Sequence, residues 1–121
     1  MAKRGEIEQG SVAYGEAFEH FIIQELRAFL SYRSIDAELC YWRTTSHHEV
    51  DAVIGTELAL EIKATSRVTD RHLVGLKELA REKVVKTLLL VSADPVEREV
   101  DGIRIIPWGR FLEGLWGGEW L

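Results

Sequence analysis

The segment from Glu49 to Ala64 constrains this chain more than any other. It encodes two strands, and burial of a continuous apolar face selects one register for their pairing. Glu49-Val50-Asp51-Ala52-Val53-Ile54 and Leu58-Ala59-Leu60-Glu61-Ile62-Lys63-Ala64 are both rich in strand formers. A two-residue loop, Gly55-Thr56, pairs Ile54 with Glu57 and sets Val50, Ala52 and Ile54 on one face with Glu57, Ala59 and Glu61. A three-residue loop, Gly55-Thr56-Glu57, pairs Ile54 with Leu58, Ala52 with Leu60 and Val50 with Ile62, which makes that face wholly apolar. A slip of one residue turns every side chain over, so burial favours the second register.

The opposite face follows from the same register. Asp51 comes opposite Glu61, with side chains starting roughly 5 Å apart. Lys63 lies two residues further along, about 7 Å from Glu61 on the same face. Two facing carboxylates repel unless a proton or a cation lies between them. A hard divalent ion such as Mg²⁺ suits such an all-oxygen site.

The rest of the chain supplies layers for this hairpin. From about Val12 to Tyr32, Tyr14, Phe18, Phe21, Ile22, Leu26, Phe29 and Leu30 recur at helical spacing, with Ser11 as cap and Ser34-Ile35 as the end. Leu39 to Arg43 reads as a strand. A helix starts near Thr69-Asp70 and turns Leu73, Leu76, Leu79 and Ala80 inward. Leu88 to Val91 reads as a buried central strand, broken by Asp94-Pro95. Ile103 to Ile106 is a last strand and Trp108 to Leu115 a last helix. The order αβββαββα makes an α/β chain, a mixed sheet covered by helices.

The length, 121 residues, suits a single domain, with residues 1–11 as a polar lead-in and 117–121 as a tail. Met1-Ala2-Lys3-Arg4 runs into Gly5-Glu6-Ile7-Glu8 rather than an apolar segment, so no signal peptide is expected. The longest apolar stretch is too short to span a membrane. Cys40 is the sole cysteine, which fits a reducing, cytoplasmic location. The net charge of −5 argues against simple coating of nucleic acid, although an acidic cluster that holds cations is a partial exception.

A third carboxylate comes from the first helix. On a helical wheel Glu19 falls inside the apolar arc, between Leu26 and Leu30. Glu25 falls inside it too, between Phe18 and Phe21, so the wheel does not choose between them. Glu16 and His20 lie outside. A buried acid needs a partner.

Asp51, nine residues, then Glu61-Ile62-Lys63, behind a helix with an inward glutamate, resembles the PD-(D/E)XK phosphodiesterase signature. Tyr14 to Phe21, Tyr41-Trp42-Arg43-Thr44-Thr45-Ser46, Glu49-Val50-Asp51 and Glu61-Ile62-Lys63-Ala64 look more closely like the C-terminal domain of a group of prokaryotic AAA+-type ATPases. The resemblance runs from about Lys3 to Trp116. It implies a three-layer, restriction-endonuclease-like fold, with Glu19 as the helix carboxylate and Lys63 as the catalytic lysine. Asp51, Glu61, Glu19 and the carbonyl of Ile62 would hold Mg²⁺ or Mn²⁺. Where that group usually carries Ser-Gly, this chain has His47-His48, which alters the rim of the site.

The function expected is metal-dependent hydrolysis of DNA phosphodiester bonds. Arg67, Arg71, His72 and Lys77 would contact the nucleic-acid backbone. The alternative is a catalytically silent module that tethers an ATPase to DNA or protein. No Gly-x-x-x-x-Gly-Lys-Ser/Thr string occurs, so P-loop nucleotide binding is not expected. His47, His48 and Cys40 fit no common structural zinc spacing. Trp116 and Trp120 either cap the core or dock a partner, a second copy included. The carboxylates are expected in a pocket beneath the first helix.

Overall fold

The structure is a computed structural model and describes residues 11–43 and 45–121. The expected lead-in up to residue 10, and Thr44, lie outside the described residues. Helix α1 spans Val12–Tyr32, β1 Leu39–Arg43, β2 Glu49–Ile54 and β3 Leu58–Lys63. A 3₁₀ turn over Asp70–Leu73 leads into α2, Val74–Arg81. Then come β4 (Thr87–Ser92), β5 (Arg98–Val100), β6 (Ile103–Pro107) and α3 (Trp108–Trp116).

The six strands form one mixed sheet in the order β1-β2-β3-β4-β6-β5. β1, β2 and β3 are antiparallel neighbours, β3, β4 and β6 run parallel, and β5 returns antiparallel to β6. A parallel β3–β4 pair needs a crossover, and α2 provides it. The α/β class and the mixed, helix-covered sheet are as expected from the sequence. The order differs by one strand, β5, which the sequence reading passed over. Asp101 (φ 50°) and Gly102 (φ 80°) close the β5–β6 hairpin, and positive φ at both positions is the signature of a type I′ turn.

Ser11 caps α1: its hydroxyl accepts the Tyr14 N–H at 3.0 Å. Phe18, Ile22, Leu26, Phe29 and Leu30 of α1 pack with Phe111 and Leu115 of α3 on one face of the sheet. Ala52, Ile54, Leu58, Leu60 and Ile62 meet them there. Leu73, Leu76 and Leu79 pack on the other face against Ala59, Leu90, Ile103 and Ile105. Ala80 is only half-buried.

The hairpin adopts the three-residue loop, with Ile54 opposite Leu58 and Ala52 opposite Leu60. Val50 departs from the expected face: it is buried, but among Ala59, Val68 and Leu76 on the α2 side. The β2–β3 pairs stop at Ala52–Leu60, and the β1–β2 register shifts between Cys40 and Trp42. Strict alternation therefore fails at that end of β2.

Trp120 caps the core. It is buried, its Nε1–H donates to the Phe111 carbonyl at 2.9 Å, and the Arg104 and Arg110 guanidinium groups lie 4.9 and 5.2 Å from the ring centre. Trp116 is 40% exposed and meets Phe29 and Tyr32 edge-on.

Candidate functional site

Asp51, Glu61 and Lys63 line one cleft of about 210 Å³. Its other walls come from His47, His48 and Glu49 at the entry to β2, and from Arg71, His72, Val74 and Gly75 where α2 begins. The cleft therefore opens on the α2 side of the sheet, not beneath α1. Alternation is the reason: Leu60 and Ile62 face α1, so Glu61 and Lys63 between and beyond them face the other way.

Gly75 sets the fit of α2 against the hairpin. A β-carbon there would collide with the backbone carbonyl of Glu49. The glycine thus permits a close approach of the first turn of α2 to the start of β2.

Asp51 is half-buried, and its Oδ2 accepts the Ile62 N–H at 2.8 Å. Glu61 is 5% exposed. Burial, then a shared proton and charge repulsion with Asp51, push its carboxyl up to about 9, against the pull of Lys63. At neutral pH a proton thus stands between the two acids, where a cation would otherwise neutralise them. Two hard oxygen donors beside open cleft space fit Mg²⁺ or Mn²⁺, which take one or two carboxylates and keep several waters.

Glu19 reaches toward the acid pair from α1, and its side chain also borders a shallow depression with Glu16, His20 and Ile23. Partial burial, the negative charge of Asp51 and a side-chain hydrogen bond with Asp51 raise its pKa, and Lys63 opposes this, so it stands beside Asp51. Among the described residues no three His, Cys, Asp or Glu side chains gather closely enough to hold a metal. Glu25 is half-buried.

Arg71 and His72 line the cleft as expected, whereas Arg67 and Lys77 do not. Arg67 is exposed in a turn in which its N–H donates to Thr65 Oγ1 at 3.1 Å. Lys77 pairs with Asp101, 3.4 Å away. The Ile62 side chain is buried on the α1 face.

Two cleft histidines have hydrogen-bonded ring nitrogens. The Thr69 N–H donates to His72 Nδ1 at 2.9 Å, so that nitrogen carries no proton. Burial and the charges of Arg71 and Lys63 hold the His72 pKa below its ordinary value, so the neutral ring carries its proton on Nε2. His48 Nδ1 lies 2.8 Å from Glu78 Oε1, and a carboxylate only accepts, so that nitrogen is the donor. Sequence reading placed neither Glu78 nor Glu49 at the site. Glu49 is tied to Arg43 at 2.8 Å.

The profile of a family described as a domain of unknown function (DUF4143) matches residues 14–111. The chain belongs to the DUF4143 family. The DUF4143 match begins in α1 and ends in α3, and every candidate residue named above falls inside it. No curated protein and no solved structure matches the chain.

Proposed function

We propose that the chain is a divalent-cation-dependent phosphodiesterase of restriction-endonuclease-like fold that acts on nucleic acid, with DNA as its substrate. The observation that carries this reading is the cleft that brings Glu61 beside Asp51, with Lys63 two residues along the same strand as Glu61. The finer fold is supported by an α1 helix, an antiparallel β1–β2–β3 meander and an α2 crossover, with the acids where β2 and β3 part.

Asp51, Glu61 and the Ile62 carbonyl would hold Mg²⁺ or Mn²⁺, which supplies a Lewis acid for the phosphate and lowers the pKa of water. Lys63 neutralises charge that develops on a phosphate oxygen. Arg71 attracts the phosphate, and His72 donates its Nε2–H to a second oxygen. An attached ATPase domain belongs to the same reading as a partner.

The test is incubation of the purified chain with single-stranded, duplex and branched DNA in Mg²⁺ or Mn²⁺. Metal-dependent cleavage lost in both Asp51→Ala and Lys63→Ala is the expected result. Activity that survives Lys63→Ala identifies a contaminating nuclease, and no cleavage of any substrate removes the proposal. A second reading is a silent module that binds DNA or protein beside an ATPase. Binding without cleavage is its signature.

A further inference from the structure

We propose that Phe21 and Trp108 form a stacking platform for unpaired bases, so that the cleft takes a single-stranded segment of nucleic acid; the inference rests on the nucleic-acid reading above. The two rings are each 44% exposed and meet edge-on, with centroids 6.0 Å apart at 80°. They sit outside both core clusters. An edge-on contact covers at most one ring face of the pair, so ring surface is left for a further planar group.

The topology brings this pair to the sheet edge on which Lys63 lies. β3, β4 and β6 run parallel and end level: Lys63 pairs with Ser92, and Ser92 with Pro107, the residue before Trp108. Two strand spacings, about 10 Å, therefore separate Lys63 from Pro107 along that edge. α1 spans the same edge. Glu19 reaches Asp51 from one flank of the helix, and Phe21, two residues on and about 200° around the axis, reaches Trp108 from the other.

The cleft opens on the α2 side of the sheet and the rings stand on the α1 side, so a bound strand must turn over the edge between them. Duplex DNA is stiff over about 50 nm and resists such a turn, and its bases are covered by their neighbours. A single strand bends within a few nucleotides and offers its base faces to aromatic side chains. Stacking also suits the charge of the chain, since it needs no cation. The net charge is −5, Arg98 is committed to Asp94, and Arg110, two residues past Trp108, to Glu119.

The closing experiment measures binding by the full chain without metal, so that binding is read apart from cleavage. The probes are a labelled single-stranded oligothymidylate and a relaxed closed-circular duplex, which exposes no base face. Trp108→Ala and Phe21→Ala are each expected to lose about 5- to 150-fold in affinity for the single strand, with the duplex unaffected and the slope of log affinity against log salt unchanged. Trp108→Phe keeps most of the affinity. Tryptophan fluorescence of the unaltered chain should be quenched by the single strand, and less so in Trp108→Phe, a readout that needs no alanine variant to fold. Single-strand affinity unchanged in both alanine variants overturns the platform, and leaves the phosphodiesterase reading intact where Lys63→Ala still abolishes cleavage. Equal loss on the closed-circular duplex overturns it as well. Ring-dependent binding of the single strand without cleavage of any substrate supports the platform and removes the phosphodiesterase reading. A dimer of the free chain that Trp108→Ala separates, with strand binding unchanged, makes a second copy the occupant and overturns the proposal.

Discussion

Asp51 Oδ2 accepts the backbone N–H of Ile62 at 2.8 Å, just past the last β2–β3 pair, Ala52 with Leu60. A side-chain carboxylate thus takes the place of a backbone carbonyl at the point where the strands part, and the Ile62 N–H is not left unsatisfied. The same bond turns Asp51 toward Glu61. One residue therefore ends the ladder and starts the candidate site.

Asp51→Asn keeps an acceptor for Ile62, and Asp51→Ala removes it. The asparagine variant is expected to be the more stable of the two by about 1 kcal/mol, measured by urea denaturation.

Glu61 makes stability depend on pH in a definite direction. Its folded pKa, about 9, is above the ordinary 4.5, so between those values the folded chain binds a proton that the unfolded chain has lost. The contribution is fully present below about pH 4.5 and is lost as pH rises toward 9. Melting temperature is expected to fall across that window in the unaltered chain and to stay flatter in Glu61→Gln.

On the proposed reading a divalent cation would take the place of that proton. Millimolar Mn²⁺ is expected to raise the melting temperature, more at pH 8 than at pH 6, with chelator reversing the rise. At a hundred times the Kd the gain is about 2.7 kcal/mol. Glu61→Gln should abolish the shift.

Asp94 is a second buried acid with a structural role. It accepts the Val68 and Val96 N–H groups at 2.9 Å each and meets Arg98 at 3.2 Å, and the two backbone donors lead in holding its pKa down. Asp94→Ala is expected to cost about 3 kcal/mol in chemical denaturation, since it leaves buried donors unpaired.

Gly75→Ala places a methyl group against the Glu49 carbonyl. The expected cost is about 1–3 kcal/mol, and the displaced α2 should weaken the cleft, read as a smaller Mn²⁺ shift than in the unaltered chain.

The parts of the fold legible in the sequence were those set by local pattern. The register of β2 against β3 followed from loop length and apolar alternation, and the ends of α1 from Ser11 and from Ser34, whose φ is 51°. Strand β5 was hidden because Arg98-Glu99-Val100 is short, charged and at the sheet edge, although Asp101-Gly102 was a usable signal. Asp51, Glu61 and Lys63 were legible through a period of two. The Lys77–Asp101 ion pair was not legible, because it joins α2 to the β5–β6 turn across 24 residues. The His48–Glu78 pair spans 30 residues, and only the packing of α2 on the hairpin brings it together.

Strand β1 forms one border of the sheet and carries Cys40, the sole cysteine of the chain, with its side chain exposed. A maleimide dye or spin label can be attached there without first deleting another thiol. On the neighbouring strand β2 stands Asp51, two residues from Val53, the partner of Cys40. The molecule thus comes with a built-in reporter position from which proposed cation or oligonucleotide uptake can be tested in real time.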